Sequence, residues 1–285
     1  VGYGEVNTLD HVLFFTTQGT YGYTPVYDVE ESRWKEIGSH INSTIRISGE
    51  EKITDAFVLR SFATNAYKIS VTKNGLVKKT AVREYEVSRN NKTMSNMKLL
   101  DGDAVVKTMV AYAYDEILIA SKNGFVSRYP VSLIPETSPR SKGVKAMNLV
   151  LDEIVSACIS HGDASQLIVF TDQCQMKRIK LSDVDVTGRP TKGSMICKKV
   201  KSKPYQIAHI ALHDLNDELV IINEETQKIL AKDISLMSKD ATFSSPLHTT
   251  QDYYFLRTLA AVEQRELPAI QEEKQEFEEI ELFED

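Results

Sequence analysis

The chain has 285 residues, a hydrophobic content of 42% that is ample for a core, and a formal net charge of −6. No run approaches the roughly 18–20 apolar residues that cross a bilayer as a helix, and Cys158, Cys174 and Cys197 lack both the even count of a disulfide framework and the Cys-x-x-Cys spacing of a zinc site. Neither Gly-x-x-x-x-Gly-Lys-Ser/Thr nor Gly-x-Gly-x-x-Gly occurs, so a phosphate cradle of those types is excluded.

The start, Val1-Gly2-Tyr3-Gly4, carries no Met and no apolar signal segment, and reads as a piece cut from a longer chain. A repeat begins near residue 10. Its first unit holds the apolar run Val12-Leu13-Phe14-Phe15, the turn Gln18-Gly19, Gly22-Tyr23, and the loop Arg33-Trp34-Lys35-Glu36-Ile37-Gly38. The second holds Tyr67-Lys68-Ile69-Ser70-Val71, Asn74-Gly75, Lys78-Lys79, Arg83, and the loop Arg89-Asn90-Asn91-Lys92. The third holds Ile117-Leu118-Ile119-Ala120, Asn123-Gly124, Ser127-Arg128, and Arg140-Ser141-Lys142-Gly143, then two strands over 144–149 and 153–160. The fourth holds Leu167-Ile168-Val169-Phe170, Gln173-Cys174, Lys177-Arg178, and Arg189-Pro190-Thr191-Lys192-Gly193, then strands over 195–200 and 206–212. The fifth, from Asp217 to about Leu259, keeps the apolar run Leu219-Val220-Ile221-Ile222 but has Ser235-Leu236-Met237-Ser238-Lys239 in place of the basic loop.

Turn-to-turn spacings of 56, 49 and 50 residues keep step with Arg-to-Arg spacings of 56, 51 and 49. Two features in step mark a repeat array, and an atypical last unit is what a capped array shows. Short β-branched runs with little polar interruption suit strands covered on both faces. The sequence therefore predicts an all-β, propeller-like disc of about 50-residue, four-stranded blades, five repeats being visible near 10–57, 66–112, 115–161, 165–212 and 217–259. The disc takes residues 1–262, and 263–285 forms an acidic, flexible tail with ten acids against two basic residues. The Asn-Gly pairs predict type I′ hairpins, since both central residues of that turn need positive φ.

Charge is segregated along the chain. Residues 66–112 carry nine basic against four acidic side chains, and 165–212 carry nine against three. A residue repeated at one position of an array becomes an arc of that residue, and here the arc is basic. Its members are Arg33 and Lys35; Lys78, Lys79, Arg83, Arg89 and Lys92; Arg128, Arg140, Lys142 and Lys145; and Lys177, Arg178, Lys180, Arg189, Lys192, Lys198 and Lys199. Cations spaced around a rim can track a duplex, which presents one negative charge per ~1.7 Å of axis. The glycines after Lys142 and Lys192 would let backbone approach a phosphate. No repeated exposed aromatic suits base stacking, which favours duplex over single strands. The histidines His11, His40, His161, His209, His213 and His248 are scattered; His209 and His213 fall on a strand rather than a helix, and form no metal site. The carboxylate pairs Asp101/Asp103 and Asp183/Asp185 lie in turns and read as solvated. A second reading is a propeller-type protein platform whose basic arc meets an acidic partner.

Taken together, residues 10–19, Pro25-Val26-Tyr27, the Arg33-Trp34-Lys35 loop, residues 74–80 and residues 143–149 resemble the C-terminal domain of the A subunit of bacterial type IIA topoisomerases. The likeness covers nearly all of 1–262 and implies a β-pinwheel of five or six blades. Gyrase members carry the heptad Gln-Arg-Arg-Gly-Gly-Lys-Gly, of which residues 187–193 are only a degenerate echo. The Arg33-Trp34-Lys35 loop is closer to the topoisomerase IV branch. The resemblance implies duplex DNA as partner, with the ATPase B subunit plus the rest of the A subunit as further partners in an A2B2 enzyme, in the bacterial cytoplasm and away from membranes. It also implies that this part is not itself an enzyme, has no cofactor or metal of its own, and leaves ATP, Mg2+ and the nucleophilic tyrosine to other parts.

Overall fold

The computed structural model of the chain describes residues 2–33, 35–49, 51–87, 92–162, 166–202, 204–222, 226–243, 245–246, 254–258 and 261–265. Among them strands dominate, with one short helix at Ile41–Thr44 and five single 3-10 turns. Five sheets form, one for each predicted repeat.

Each unit contributes three strands of its own. They are His11–Thr16, Thr20–Pro25 and Ile53–Leu59 in the first unit; Tyr67–Thr72, Leu76–Ala81 and Val105–Ala111 in the second; and Glu116–Ser121, Phe125–Pro130 and Ile154–Ser160 in the third. Gln166–Thr171, Gln175–Lys180 and Ile207–His213 follow in the fourth, then Glu218–Ile222, Thr226–Leu230 and Tyr254–Thr258 in the fifth. The first strand lies in the middle, with the second and third antiparallel on its two sides. Strands in that central position are buried from their second residue onward in units two to four, as cover on both faces requires.

The fourth strand of a blade does not come from its own unit, which corrects the expectation of four consecutive strands. Met94–Ser95 pairs with Thr20 and Tyr21 of the first blade, and Val144–Lys145 with Leu76 and Val77 of the second. Ser194–Met195 joins the third blade and Ser245–Pro246 the fourth. Units two to five thus each hand a two-residue strand back to the preceding blade, and the blades are interlocked.

The hairpin turns explain how the swapped segments are received. In all four, the N–H of Gly19, Gly75, Gly124 or Cys174 donates to the carbonyl three residues earlier at 3.1–3.2 Å. Only the last residue of each turn has positive φ: 71° for Gly19, 93° for Gly75, 92° for Gly124 and 55° for Cys174. Asn74 and Asn123 do not, so these are type I turns followed by a left-handed residue, not type I′. The last residue of each first strand, Thr16, Thr72, Ser121 or Thr171, braces the turn by accepting the N–H four residues on. In the first three turns the glycine carbonyl accepts an N–H of the incoming swapped segment, from Met97, Ala146 and Ile196 at 2.8–2.9 Å.

The core lies between blades. Ile69, Val71 and Val77 meet Ile117, Ile119 and Tyr129 in one slab, and Leu118 and Val126 meet Leu167, Val169 and Ile179 in the next. The third strands pack successively, Ile53–Leu59 on Val105–Ala111, that on Ile154–Ser160, and that on Ile207–His213. They form the inner edge, which leaves the swapped strands and the basic loops at the outer edge. Ala261–Val262 runs parallel to Val58 and Leu59 and joins the first sheet. Beyond it the Glu263 carbonyl accepts from Tyr112 Oη at 2.7 Å, and Arg265 lies 4.4 Å over the Tyr112 ring. The acidic stretch 266–285 lies outside the described residues, as do Trp34 and Arg89.

Candidate nucleic-acid interface

The structure divides the predicted cations into two sets. Lys78, Lys79, Arg128, Lys177 and Arg178 on the second strands turn inward, which corrects their placement on a DNA-facing rim, whereas Lys180 at a strand end does not. Lys78 and Lys177 are fully buried, and Lys79 and Arg178 are nearly so. Lys177 Nζ donates to the carbonyls of Ser238, Lys239 and Ala241 at 2.8–3.2 Å, matching three protons with three acceptors. Lys78 Nζ donates to Thr80 Oγ1 at 2.6 Å and to the Asn96 carbonyl at 3.0 Å.

The residues four positions past the turn, 79, 128 and 178, clamp successive blades. Lys79 Nζ donates to the Val131 carbonyl at 3.2 Å. Arg128 Nη1 donates to the carbonyls of Leu181 and Val184 at 2.9 and 3.1 Å, and its Nε to Glu116 at 2.7 Å. Arg178 Nε and Nη2 donate to the carbonyls of Ile234 and Lys232. In each case a carbonyl of the next unit's 3-10 turn, or of the residue ending it, accepts; a carbonyl oxygen has two lone pairs, so those of Val131 and Leu181 take the cation's N–H beside the N–H that closes the turn. Burial of these charges is tolerable because carbonyl oxygens take the place of water.

Burial also shifts their titration. It lowers the Lys78 and Lys177 ammonium groups to about 8 and pushes that of Lys68, enclosed by Asn96, Phe15 and Tyr85, well below its usual range. An unfolded lysine holds its proton up to about 10.5, so between about pH 8 and 10 the unfolded chain binds more protons and stability rises with pH. Desolvation raises the thiols of the partly buried Cys158 and the buried Cys197, which work in the opposite sense above about pH 9. Three lysines outweigh two thiols. The urea midpoint should therefore be higher at pH 9 than at pH 7.5; a flat or falling midpoint would contradict the burial of these ammonium groups.

The second set is exposed and continuous. Parallel bridges join Arg46 to Lys92, Lys98 to Lys142, and Met147 to Thr191. The Lys98 N–H donates to the Ser141 carbonyl at 3.1 Å, Asn148 to Thr191 at 2.7 Å, and Lys198 to Ala241 at 3.4 Å. The swapped segments are thereby bonded one to the next along the outer edge. On this belt Lys92, Arg140, Lys142, Lys145, Lys192, Lys198 and Lys199 are all exposed. Arg46 and Lys98 belong to it as well and were missed. Lys98 holds the register of Lys198, three residues past a swapped strand, whereas Arg46 is masked by the longer first unit.

The remaining candidates are not gathered there. Arg33 and Lys35 are exposed on the first unit's long loop, and Lys180 at the end of its strand. Arg83 pairs with Glu136 at 3.5 Å. Arg189 is half-buried, donating to the carbonyls of Leu133 and Lys145 at 3.1 and 2.7 Å. It braces the belt rather than facing outward.

The glycines of the basic loops have a structural task in place of the expected approach to phosphate. A Cβ on Gly143 would lie 2.8 Å from the Val77 carbonyl oxygen, and one on Gly193 would lie 2.4 Å from that of Val126. These residues let the swapped segment close on the preceding blade. Asp103 is buried rather than solvated, its Oδ1 accepting the N–H groups of Asn74 and Ala104 at 2.9 Å. His209 and His213 lie on the strand Ile207–His213, and among the described residues no cluster of three metal-ligating side chains occurs. No described helix is long and apolar enough to cross a membrane.

Blades interlocked by strand exchange, with exposed cations along the exchanged edge, define a β-pinwheel with a basic outer belt. The chain belongs to the DNA gyrase A C-terminal domain family, whose model, described as a DNA gyrase C-terminal domain and β-propeller, matches residues 10–60, 69–111, 115–161 and 165–214. Among its relatives, the A subunit of DNA topoisomerase 4 from Bacillus subtilis is 30% identical over 224 residues, covering 79% of this chain and 27% of that protein. Its counterpart from Staphylococcus epidermidis is 28% identical over 250 residues, covering 87% and 31%. The chain thus spans about a third of the length of these proteins. A crystal structure of the C-terminal domain of DNA topoisomerase IV superposes with a TM-score of 0.80 at 30% identity, covering 85% of this chain and 76% of that one. A DNA gyrase A C-terminal domain superposes at 0.73 with 18% identity, covering 88% and 82%, a likeness of fold.

Proposed function

We propose that this chain binds duplex DNA along its outer belt without sequence preference and bends it, presenting the transport segment to the cleavage core of a topoisomerase IV. The observation that carries this reading is the belt itself, exposed cations held in sequence by backbone bridges between swapped segments. A rigid arc of lysines neutralises phosphates along a curved path, and a duplex that follows the curve gains contacts that offset its bending cost. Support for backbone rather than base-edge contact comes from the placement of the described belt cations on short loops and two-residue strands, not on a helix that could enter a major groove. In the whole enzyme, strand cleavage and ATP hydrolysis with Mg2+ would fall to the B subunit together with the rest of the A subunit, in an A2B2 assembly in the cytoplasm. The absence of the gyrase heptad favours the topoisomerase IV branch. Titrating two duplexes of equal length and unrelated sequence should give affinities within a few-fold, with log affinity falling linearly in log salt. A hundred-fold preference for one of them would overturn the proposal.

A further inference from the structure

One turn on the outer edge departs from its counterpart. The second unit reads Leu100-Asp101-Gly102-Asp103 where the third reads Leu149-Val150-Leu151-Asp152. Asp103 and Asp152 do the same work: each Oδ1 accepts from the hairpin turn, at Asn74 and Asn123, and from the N–H that follows it. The residue before the aspartate is left-handed in both, with φ of 72° at Gly102 and 49° at Leu151. Glycine adopts that conformation freely, whereas a leucine is strained there. Leu151 is moreover 98% exposed and its neighbour Val150 76% exposed. The position thus combines a strained backbone, held by a hydrogen bond from the Asn123 side-chain amide to the Leu151 carbonyl at 3.2 Å, with an apolar side chain that lies almost wholly in water.

Its surroundings indicate what could cover that side chain. Val150 and Asp152, together with Phe125, Met147 and Leu149, line a cleft of about 180 Å³ at the belt. Lys192 and Lys199 line the same cleft, their ammonium groups 4.5 and 5.9 Å from the Phe125 ring centre. Contact cores of protein partners are depleted in lysine, so an apolar knob flanked in sequence by residues of a lysine-lined cleft is poorly matched to a protein surface. It matches a duplex: proteins that kink DNA set apolar side chains between base steps while cations hold the flanking phosphates.

We propose that Leu151, supported by Val150, is a wedge that enters the minor groove of the bound duplex and partly unstacks one base step. The inference rests on the duplex binding proposed above. Lys192 and Lys199 then hold the phosphates beside the opened step. The third unit stands midway along the belt, so the kink falls near the centre of the bound segment. Flexible pyrimidine–purine steps would be favoured there by a few-fold.

The test uses the whole chain and a random-sequence duplex carrying donor and acceptor dyes at its two ends. Leu151→Gly installs the residue of the sister turn, removes the strain and so preserves the fold. It is expected to bind roughly three- to tenfold more weakly and to draw the duplex ends less close together at saturation. In Leu151→Trp, the indole emission should be quenched by base stacking when duplex is added, beyond any change that the wild-type chain shows from Trp34. An end-to-end distance unchanged in Leu151→Gly, together with an unquenched indole in Leu151→Trp, would overturn the wedge while leaving duplex binding intact. Failure of the wild-type chain to bind any duplex would instead remove the underlying reading, and the wedge with it.

Discussion

Reversing Lys142, Lys192 and Lys199 to Glu should lower duplex affinity by about two orders of magnitude or more near 0.1 M salt, with the fold retained. Each phosphate contact contributes a slope of about −0.9 in log affinity against log salt, which is roughly eightfold per contact at that concentration. Three lost contacts therefore account for two to three orders of magnitude and should flatten the slope by nearly three units. All three side chains are exposed, so their reversal creates no buried charge. Interior lysines are expected to behave in the opposite way. Lys177→Glu would set a carboxylate against the carbonyls of Ser238, Lys239 and Ala241 inside the protein, and should unfold the fourth and fifth blades. Circular dichroism alongside a fluorescence anisotropy titration separates the two. If the triple belt variant binds as tightly as the wild type, DNA does not follow the belt. If Lys177→Glu stays folded and loses only DNA binding, the assignment of that lysine to the interior is wrong.

The division between these two groups of lysines marks where sequence reading stops. The period of the repeat, the central strands and the turn positions were all legible, because each depends on local spacing and on runs such as Leu167-Ile168-Val169-Phe170. Which way a lysine points was not. Alternation separates an inner from an outer face only when one face meets water, and both faces of these blades are covered. Lys78 lies between Val77 and Lys79, and Lys177 between Met176 and Arg178, so either reading fitted the residues. The deciding partners are backbone carbonyls distant in sequence, Val131 for Lys79, Ala241 for Lys177 and Asn96 for Lys78, and no side-chain pattern announces them. Strand exchange was hidden for a related reason: a two-residue strand such as Val144–Lys145 has no periodicity to detect. The swap nevertheless leaves a trace in the glycines of the basic loops: glycine beside lysine suits a phosphate as well as a neighbouring blade, and the close approach of Gly143 to Val77 and of Gly193 to Val126 assigns both to the blade.

Gly193→Ala should therefore be among the most destabilising small substitutions in the chain, costing about 3 kcal/mol or more. Two penalties combine. Gly193 has φ of 79°, and placing a side chain in that region costs roughly 1–2 kcal/mol. The added Cβ would also stand 2.4 Å from the Val126 carbonyl oxygen and 2.8 Å from the Ser127 nitrogen, both backbone atoms of a central blade. Neither can yield by a side-chain rotation, so the swapped segment itself must lift away. Lifting it loosens the pairing of Phe125 with Met195 and of Val126 with Ser194, and with it the seal over Val126 and Ile196 in the core between the third and fourth blades. Gly188, five residues earlier in the same loop, is the matched control: no atom lies within 4 Å of its added Cβ and its φ is not left-handed, so Gly188→Ala should change stability by less than about 1 kcal/mol. Urea denaturation of both variants gives the comparison directly. Equal midpoints would mean that the swapped strand does not pack on the third blade as described. A large loss in Gly193→Ala should also loosen Lys192, Lys198 and Lys199 from their places on the belt. Duplex affinity then falls in a variant that removes no charge, because the glycine that closes the blade also positions the cations beside it.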